Sequence, residues 1–454
     1  MDRMQPVVPP EAMREVDRAA DRSLPELIEM AGWEVYRCAR SLMGGTYGRR
    51  VAVVAGRGNN GADGRVAARL LARAGVRVDV VAPGPADLSS YDLVVDAAFG
   101  TGFRGEYDPP TVGTVPVLAV DIPSGLDGLT GENRGAVVAT ETVTFGALKP
   151  GLLLGDGPDV CGRIVVRDLG LDLGPAAVDT WRPEAGDVAR WWPRRPRRAH
   201  KWSRAVRIVA GSEGMEGAGV LCSESAYRAG AGMVVVSGRG GGPWPHDPIE
   251  AVRRPLAGTD WVEGVLSDLD RFRSLVIGPG LGRDPTTAEG VRRLVQASPV
   301  PVVADADALA ALELDRLASR GGRELVLTPH EGEFRTLTGT SGGDDPLART
   351  REAARRGNCT VLLKGAPTVV AAADGRALVI DSGDRRLATA GSGDVLSGMI
   401  GAVLGERDPL EAVGAAAWLH GFLPRSGPTH GLVAGDLVDL IPVALSRLTG
   451  TRAG

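Results

Sequence analysis

One recurring unit constrains this chain more than any other feature. A short, wholly apolar run ends in a turn rich in glycine or aspartate, and a helix-forming stretch follows. The first clear case is Val-Ala-Val-Val-Ala at 51–55, then Gly-Arg-Gly-Asn-Asn-Gly-Ala-Asp-Gly at 56–64, then a helical stretch at 65–73. Runs that are continuous, with no polar alternation, suit parallel strands buried on both faces and covered by helices. More such strands are expected at 76–82, 92–97, 115–120, 142–145 and 164–166. A second series is expected at 204–210, 232–237, 274–277, 300–304, 324–327 and 359–363. The expected fold class is α/β: two three-layer domains, an N-terminal Rossmann-like doubly wound sheet and a second doubly wound sheet after it. Residues 182–201 are polar, with Pro183, Pro193, Pro196 and a cluster of Arg194, Arg195, Arg197 and Arg198. This composition reads as a seam, giving an expected division into 1–185, a linker at 186–200, and 201–454.

Composition removes several function classes. A formal net charge of -4 over 454 residues and only 4% aromatic residues argue against a nucleic-acid partner. No run of 18 apolar residues occurs, so no membrane span is expected. Residues 1–15 are polar and charged, without a secretory signal pattern. Cys38, Cys161, Cys222 and Cys359 are far apart and form no zinc-type spacing, which fits a reduced cytoplasmic setting.

Polar residues gather where the apolar runs end. Gly56, Gly58 and Gly61 satisfy a GxGxxG pattern, and Asp79 lies where a ribose-binding acid is expected in a dinucleotide fold. That fingerprint leaves Asn59, Asn60 and Asp63 without a purpose; two amides and an acid in a glycine loop suit a cation or a polar ligand. Asp96, Asp121 and Ser124 also fall at strand ends. In the second half, Thr-Ala-Gly-Ser-Gly-Asp-Val-Leu-Ser at 389–397 precedes an apolar helix. Gly391, Ser392 and Gly393 can turn their N–H groups toward one point at a helix start, which makes an anion site. Asp394 there is either an N-cap or a base acting beside a bound phosphoryl group. His330 and Lys364, at two further strand ends, add polar and cationic groups suited to phosphoryl transfer.

These residues carry a resemblance. NNGADG at 59–64, DAAFGTG at 96–102, DIPSGLD at 121–127 and TVTFGALKPG at 142–151 resemble the blocks of the NAD(P)H-hydrate epimerase family, and LIEMAG at 27–32 resembles its first helix. The resemblance implies a potassium ion (K+) held by Asn60, Asp96 and Ser124. It implies that the hydrated dinucleotide touches Asn59, Asn60, Gly61, Ala62, Asp63, Gly100, Thr101, Gly102, Phe103, Arg104, Gly105, Glu106 and Asp121. Asp121 is the preferred acid or base. Ala62 stands where the family usually has glycine.

The second half resembles the ribokinase-like fold and, more narrowly, the ADP-dependent NAD(P)H-hydrate dehydratase family. The blocks are HK at 200–201, VIGPGLG at 276–282, VVADAD at 302–307, LTPHEGE at 327–333, LKG at 363–365 and ATAGSGD at 388–394. The resemblance implies that Ala218, Gly282, His330 and Asp394 touch the hydrated dinucleotide. Lys364, Gly365, Ala366, Pro367, Thr368, Gly391, Ser392 and Gly393 are implied for the adenine nucleotide. Trp202 and Pro367 replace family glycines. The implied function is bifunctional metabolite repair. One half epimerises R and S hydrates of NADH and NADPH. The other dehydrates the S form with ADP and magnesium (Mg2+), giving AMP and phosphate, with Asp394 as catalytic base. A homo-oligomer is the expected assembly. The residues themselves leave ADP against ATP open. Two alternatives stay open: a ribokinase-like vitamin or sugar kinase fused to a nucleotide-binding domain, and a non-catalytic nucleotide sensor.

Overall fold

The computed structural model describes residues 4–174, 178–239, 244, 248–256, 260–320, 323–340 and 345–450. The chain forms two compact units, one covering Gln5–Thr180 and one from Trp181 onward.

The first unit is a sheet of six parallel strands: β1 (Arg50–Ala55), β2 (Arg77–Val81), β3 (Leu93–Ala97), β4 (Val117–Val120), β5 (Glu141–Phe145) and β6 (Arg163–Arg167). Their order is β2-β1-β3-β4-β5-β6. Strand order reverses between β1 and β3, so a crevice opens at their carboxyl ends. Helices α1 (Pro10–Ala19), α2 (Leu24–Leu42) and α3 (Asn59–Arg73) surround it. Helix α2 starts at a capping box: the Ser23 N–H donates to Glu26 Oε2 at 2.8 Å.

Helix α3 begins six residues earlier than the sequence reading at 65. Asn59, Asn60 and Asp63 therefore belong to its first turns rather than to a loop. The early start has a steric basis. A Cβ on Gly61 would lie 2.0 Å from the Gly56 carbonyl oxygen, so only glycine lets the helix close onto the end of β1. Ala62 is helical and outside the left-handed region, so its methyl group costs nothing there. The dinucleotide-fingerprint reading fails at Asp79. This residue lies on the edge strand β2, and its Oδ2 accepts from Arg50 Nη2 at 3.0 Å and from the Tyr91 hydroxyl at 2.9 Å.

The second unit carries β7 (Ala205–Val209), β8 (Met233–Ser237), β9 (Val252–Arg253), β10 (Ser274–Ile277), β11 (Val302–Ala304), β12 (Leu325–Leu327) and β13 (Thr360–Leu363), all parallel. Two antiparallel strands, β14 (Thr368–Ala371) and β15 (Ala377–Ile380), continue the sheet. The order β9-β8-β7-β10-β11-β12-β13-β14-β15 reverses between β7 and β10. Helices include α4 (Glu216–Arg228), α5 (Pro285–Ala297), α6 (Glu331–Thr338), α7 (Pro346–Gly357), α8 (Ser392–Val403) and α9 (Pro409–Phe422). Every residue of α8 from Val395 to Val403 is buried. Continuous burial explains why the segment reads as apolar on all sides.

The expected linker at 186–200 is corrected. A helix runs from Ala185 to Trp191, and Val188, Trp191 and Trp192 sit in the core of the second unit. Three large apolar side chains outweigh the prolines and arginines that made the stretch look slack. All four cysteines are free and buried. Among the described residues, no helix is long and apolar enough to cross a membrane. Trp191→Ala should lower the stability of the second unit by about 3–5 kcal/mol, as for other buried tryptophans, measured by chemical denaturation. A true linker residue would change it by no more than about 0.5 kcal/mol.

Candidate active sites

In the first unit a cleft of about 1180 Å³ opens over the carboxyl ends of β1 and β3. Its lining includes Asn59, Asn60, Asp63, Gly100, Thr101, Gly102, Phe103, Arg104 and Asp121 from the sequence reading. Gly61, Ala62, Gly105 and Glu106 do not line it. Asp17 and Lys149 line it although neither was given a role from sequence.

Asp96 and Ser124 form one tight unit behind the cleft. Ser124 Oγ donates to Asp96 Oδ1 at 2.6 Å, and the Ser124 N–H donates to Oδ2 at 2.8 Å. The Phe99 N–H donates to Ser124 Oγ at 2.9 Å. A Cβ on Gly100 would stand 3.5 Å from Asn60 Cβ, so the 98–100 loop joins Asn60 to this pair. Burial pushes the Asp96 carboxyl up, against the hydrogen bonds from Ser124 and Ala98 that pull it down. Asn60 is buried, and both of its amide atoms lack a partner. Such a group costs free energy unless something fills its hydrogen-bonding capacity.

Asp121 follows β4 with φ 65, a conformation that few side chains other than asparagine and aspartate take without strain. Lys149 Nζ holds it, donating to Asp121 Oδ1 at 2.5 Å, to Thr144 Oγ1 at 2.9 Å and to the Phe145 carbonyl at 3.1 Å. Lys149 is 2% exposed, so its charge is compensated within the site. Asp63, 8% exposed, is pushed up to about 8 by burial and by the negative charges of Asp121 and Asp17. It is protonated at neutral pH while Asp121 has a cation beside it. Two carboxyl groups in contrasting environments on one cleft are the usual arrangement for acid–base work.

In the second unit, the carboxyl ends of the strands bring together most of the expected residues. Asp305 follows β11, His330 follows β12 and Lys364 follows β13. Lys364 Nζ donates to Asp305 Oδ1 at 2.6 Å, and Ser397 Oγ of α8 donates to Asp305 Oδ2 at 2.7 Å. A Cβ on Gly393 would lie 3.3 Å from Lys364 Nζ and 3.8 Å from Asp305 Oδ2, which puts the cation beside the start of α8. Gly391 is the N-cap, at φ 88, where a side chain would be strained and a Cβ would also meet Leu221 Cδ1 at 2.6 Å. No side chain caps this helix, so its first-turn N–H groups lack the usual acceptor. The capping reading of Asp394 is therefore set aside: it stands at the third helical position. Burial and the charges of Asp305 and Asp307 push its carboxyl up to about 6, with Lys364 pulling the other way.

The Ser392 N–H turns back to the Thr389 carbonyl at 3.4 Å, leaving Gly393 and Asp394 as the better placed N–H groups. The Ser392 carbonyl meets His420 Nε2 at 2.9 Å. Burial pushes His420 down to about 4, so the ring is neutral and donates this bond, bracing the helix start. His330 Nδ1 accepts from the Gly332 N–H at 3.0 Å and caps α6, while its ring stays largely exposed. Gly282 donates its N–H to Asp307 Oδ2 at 2.9 Å. Gly280 lies against Ala218, where an added Cβ would come 2.9 Å from Ala218 Cβ. Thr368 Oγ1 closes the 365–368 loop onto the Gly365 carbonyl at 3.1 Å, and Ala366 and Pro367 lie within that loop. Asp305, Ser397 and His420 had no role in the sequence reading. The strand-end aspartate of VVADAD was the one visible signal for Asp305.

Comparisons with known proteins show the family. A model of the family described as "NAD(P)H-hydrate dehydratase" matches residues 206–437. One described as "YjeF-related protein N-terminus" matches residues 25–90 and 82–151. The chain is 34% identical to the bifunctional NAD(P)H-hydrate repair enzyme Nnr of Moorella thermoacetica, covering 96% of each chain. It is 38% identical to the Nnr of Mycobacterium tuberculosis strain H37Rv over 82% of each. A ribokinase-like superfamily protein from Enterococcus faecalis superposes with a TM-score of 0.51 at 19% identity, covering 60% of this chain and 96% of that one, which shows the fold of the second unit. With both family models matched in order and such identity over nearly the whole length, the chain belongs to the family of bifunctional NAD(P)H-hydrate repair enzymes.

Proposed function

We propose that the second unit dehydrates the S hydrate of NADH or NADPH at the expense of ADP, and that the first unit interconverts the R and S hydrates. The observation that carries the dehydratase reading is a half-buried carboxyl, Asp394, in the first turn of an uncapped helix beside Lys364. Asp394 takes the proton from the hydroxyl on the reduced nicotinamide ring. The hydroxyl oxygen attacks the terminal phosphorus of ADP, and the bond to the bridging oxygen breaks, releasing AMP. Lys364 and the N–H groups around Gly393 oppose the charge on the phosphoryl oxygens as it transfers. The ring nitrogen's lone pair then expels phosphate, and the adjacent ring carbon loses a proton, restoring the dihydronicotinamide. Magnesium is expected to arrive on the nucleotide's phosphates. This suits an ion that keeps its waters and takes few carboxylates, since the described residues gather no group of three acidic, imidazole or thiol side chains to hold one.

Asn60, Asp96 and Ser124 fit a potassium ion, because the Asn60 amide is buried without a partner and lies against Gly100, in the loop that follows the buried Asp96 carboxylate. When bound, the ion supplies fixed positive charge that offsets Asp96. Asp121, oriented by Lys149, is the group for moving the proton on the hydroxyl oxygen as that oxygen leaves and returns at the ring carbon, the ring nitrogen's lone pair assisting. Asp63, protonated, is available to donate one.

Asp394→Asn should abolish recovery of dihydronicotinamide absorbance from the S hydrate. The wild-type rate should rise with pH through about 6, because the base must be ionised. An unchanged rate in the variant, or one that falls through that range, sinks the assignment. The same substitution should stabilise the protein. A raised carboxyl pKa favours folding while protonated, and that contribution is lost as pH rises through the folded value. Asp394→Asn should therefore add roughly 1–3 kcal/mol at pH above about 6 and nothing in strong acid, read by denaturation at several pH values.

In the first unit, Asp121→Ala should leave the R hydrate behind after the S form is consumed. Asn60→Ala should remove any rise in melting temperature produced by potassium over sodium; an undiminished rise would exclude Asn60 as a ligand.

A further inference from the structure

Residues 305–307 form a turn whose two acids point to different parts of the second site. Asp305 is 1% exposed and spends both oxygens, on Lys364 at 2.6 Å and on Ser397 at 2.7 Å. Asp307 spends both of its own on another loop: Oδ2 accepts from the Gly282 N–H at 2.9 Å and Oδ1 from Arg283 Nε at 2.6 Å. Between them Ala306 has φ 50 and ψ -119, a conformation that a side chain rarely adopts. It is held from both sides. The Asp305 N–H donates to the Ile277 carbonyl at 3.1 Å, and the Ala308 and Leu309 N–H groups return to the carbonyls of Asp305 and Ala306 at 3.1 and 3.0 Å. A strained residue kept by its surroundings points to a conformation that matters at the site. Here it is what turns two acids two residues apart toward opposite neighbours.

We propose that Asp305 and Asp307 are positioning residues that divide the site. Asp305 fixes Lys364 for the phosphates of the nucleotide, and Asp307 fixes the 280–283 loop for the hydrated dinucleotide. The proposal rests on the nucleotide and hydrate assignments made above. Each Asp305 oxygen already accepts a hydrogen bond, one from Lys364 and one from Ser397, so it acts through the lysine. Ser397 ties the same carboxylate to α8, so the cation and the helix start move together. Asp307 engages the backbone of a loop whose Gly282 needs φ 91, and it sets where that loop lies.

The test is equilibrium titration of the full chain with ADP plus magnesium and, separately, with the S hydrate of NADH, turnover being assayed in parallel. Asp305→Asn should weaken ADP binding on the order of 10-fold while changing hydrate binding by no more than about twofold. Asp307→Asn should give the reverse pattern. In a Lys364→Met background, Asp305→Asn should add no further loss of ADP affinity, because its effect passes through the lysine. Ser397→Ala removes one bond to Asp305 without stranding a charge. It should weaken ADP alone, and it serves where Asp305→Asn does not fold. Equal losses for both ligands in each variant, additive losses in the double variant, or no loss in any would overturn the proposal. Wild-type protein that binds both ligands without turnover would refute the assigned reaction and leave the binding pattern to decide the positioning roles.

Discussion

Strands buried on both faces leave little room for charged side chains along their length, and this restriction shapes where the site residues stand. β3, β4 and β5 are buried at every position, as are β10, β11 and β13. With Arg207 in the middle of β7 as an exception, the charged groups of the two sites stand where a strand stops. Asp96 is the penultimate residue of β3, Asp121 the residue after β4, Asp305 the residue after β11 and Lys364 the residue after β13. Parallel pairing then collects these ends along one edge. The reversals in strand order, between β1 and β3 and between β7 and β10, open crevices there. Neither crevice is an addition to the fold; each is what a doubly wound sheet leaves behind.

Burial at that edge also sets the proton chemistry. Asp63 and Asp394 are both raised, to about 8 and about 6, first by desolvation and then by neighbouring carboxylates. Each has a lysine nearby that is tied to a different acid: Lys149 to Asp121 and Lys364 to Asp305. The two units thus reach a similar solution separately. A lysine is paired with one aspartate, and a second carboxyl is left poised near neutral pH. Such groups reduce stability in the ionised state, and a site that must carry out acid–base chemistry near neutrality bears that cost.

Much of this was legible in the sequence, for a physical reason. Two-sided burial writes strands as unbroken apolar runs, so the parallel strands of both sheets other than the two-residue β9, and the ends carrying Asp96, Asp121, His330 and Lys364, could be placed by eye. The antiparallel strands β14 and β15 could not, being four residues each and divided by a short Asp-Gly turn inside an alanine-rich stretch. The start of α3 was hidden because Gly58 and Gly61 look like a loop, whereas Gly61 is what lets the helix approach the end of β1. The pairs that organise the second site were out of reach altogether. Lys364 and Asp305 are 59 residues apart and Ser397 and Asp305 are 92 apart, and no spacing rule links them. At the seam, Pro193 and Pro196 spoke louder than Trp191 and Trp192, although the tryptophans decide the packing.

The central claim is that the hydroxyl of the hydrate attacks a phosphoryl group beside Asp394, so that water is never the leaving group. Hydrate carrying a heavy-oxygen label in that hydroxyl tests this directly. On incubation with the protein, ADP and magnesium, the label should appear in the inorganic phosphate, one labelled oxygen for each dihydronicotinamide restored. Label recovered in water, with phosphate unlabelled, would contradict the account.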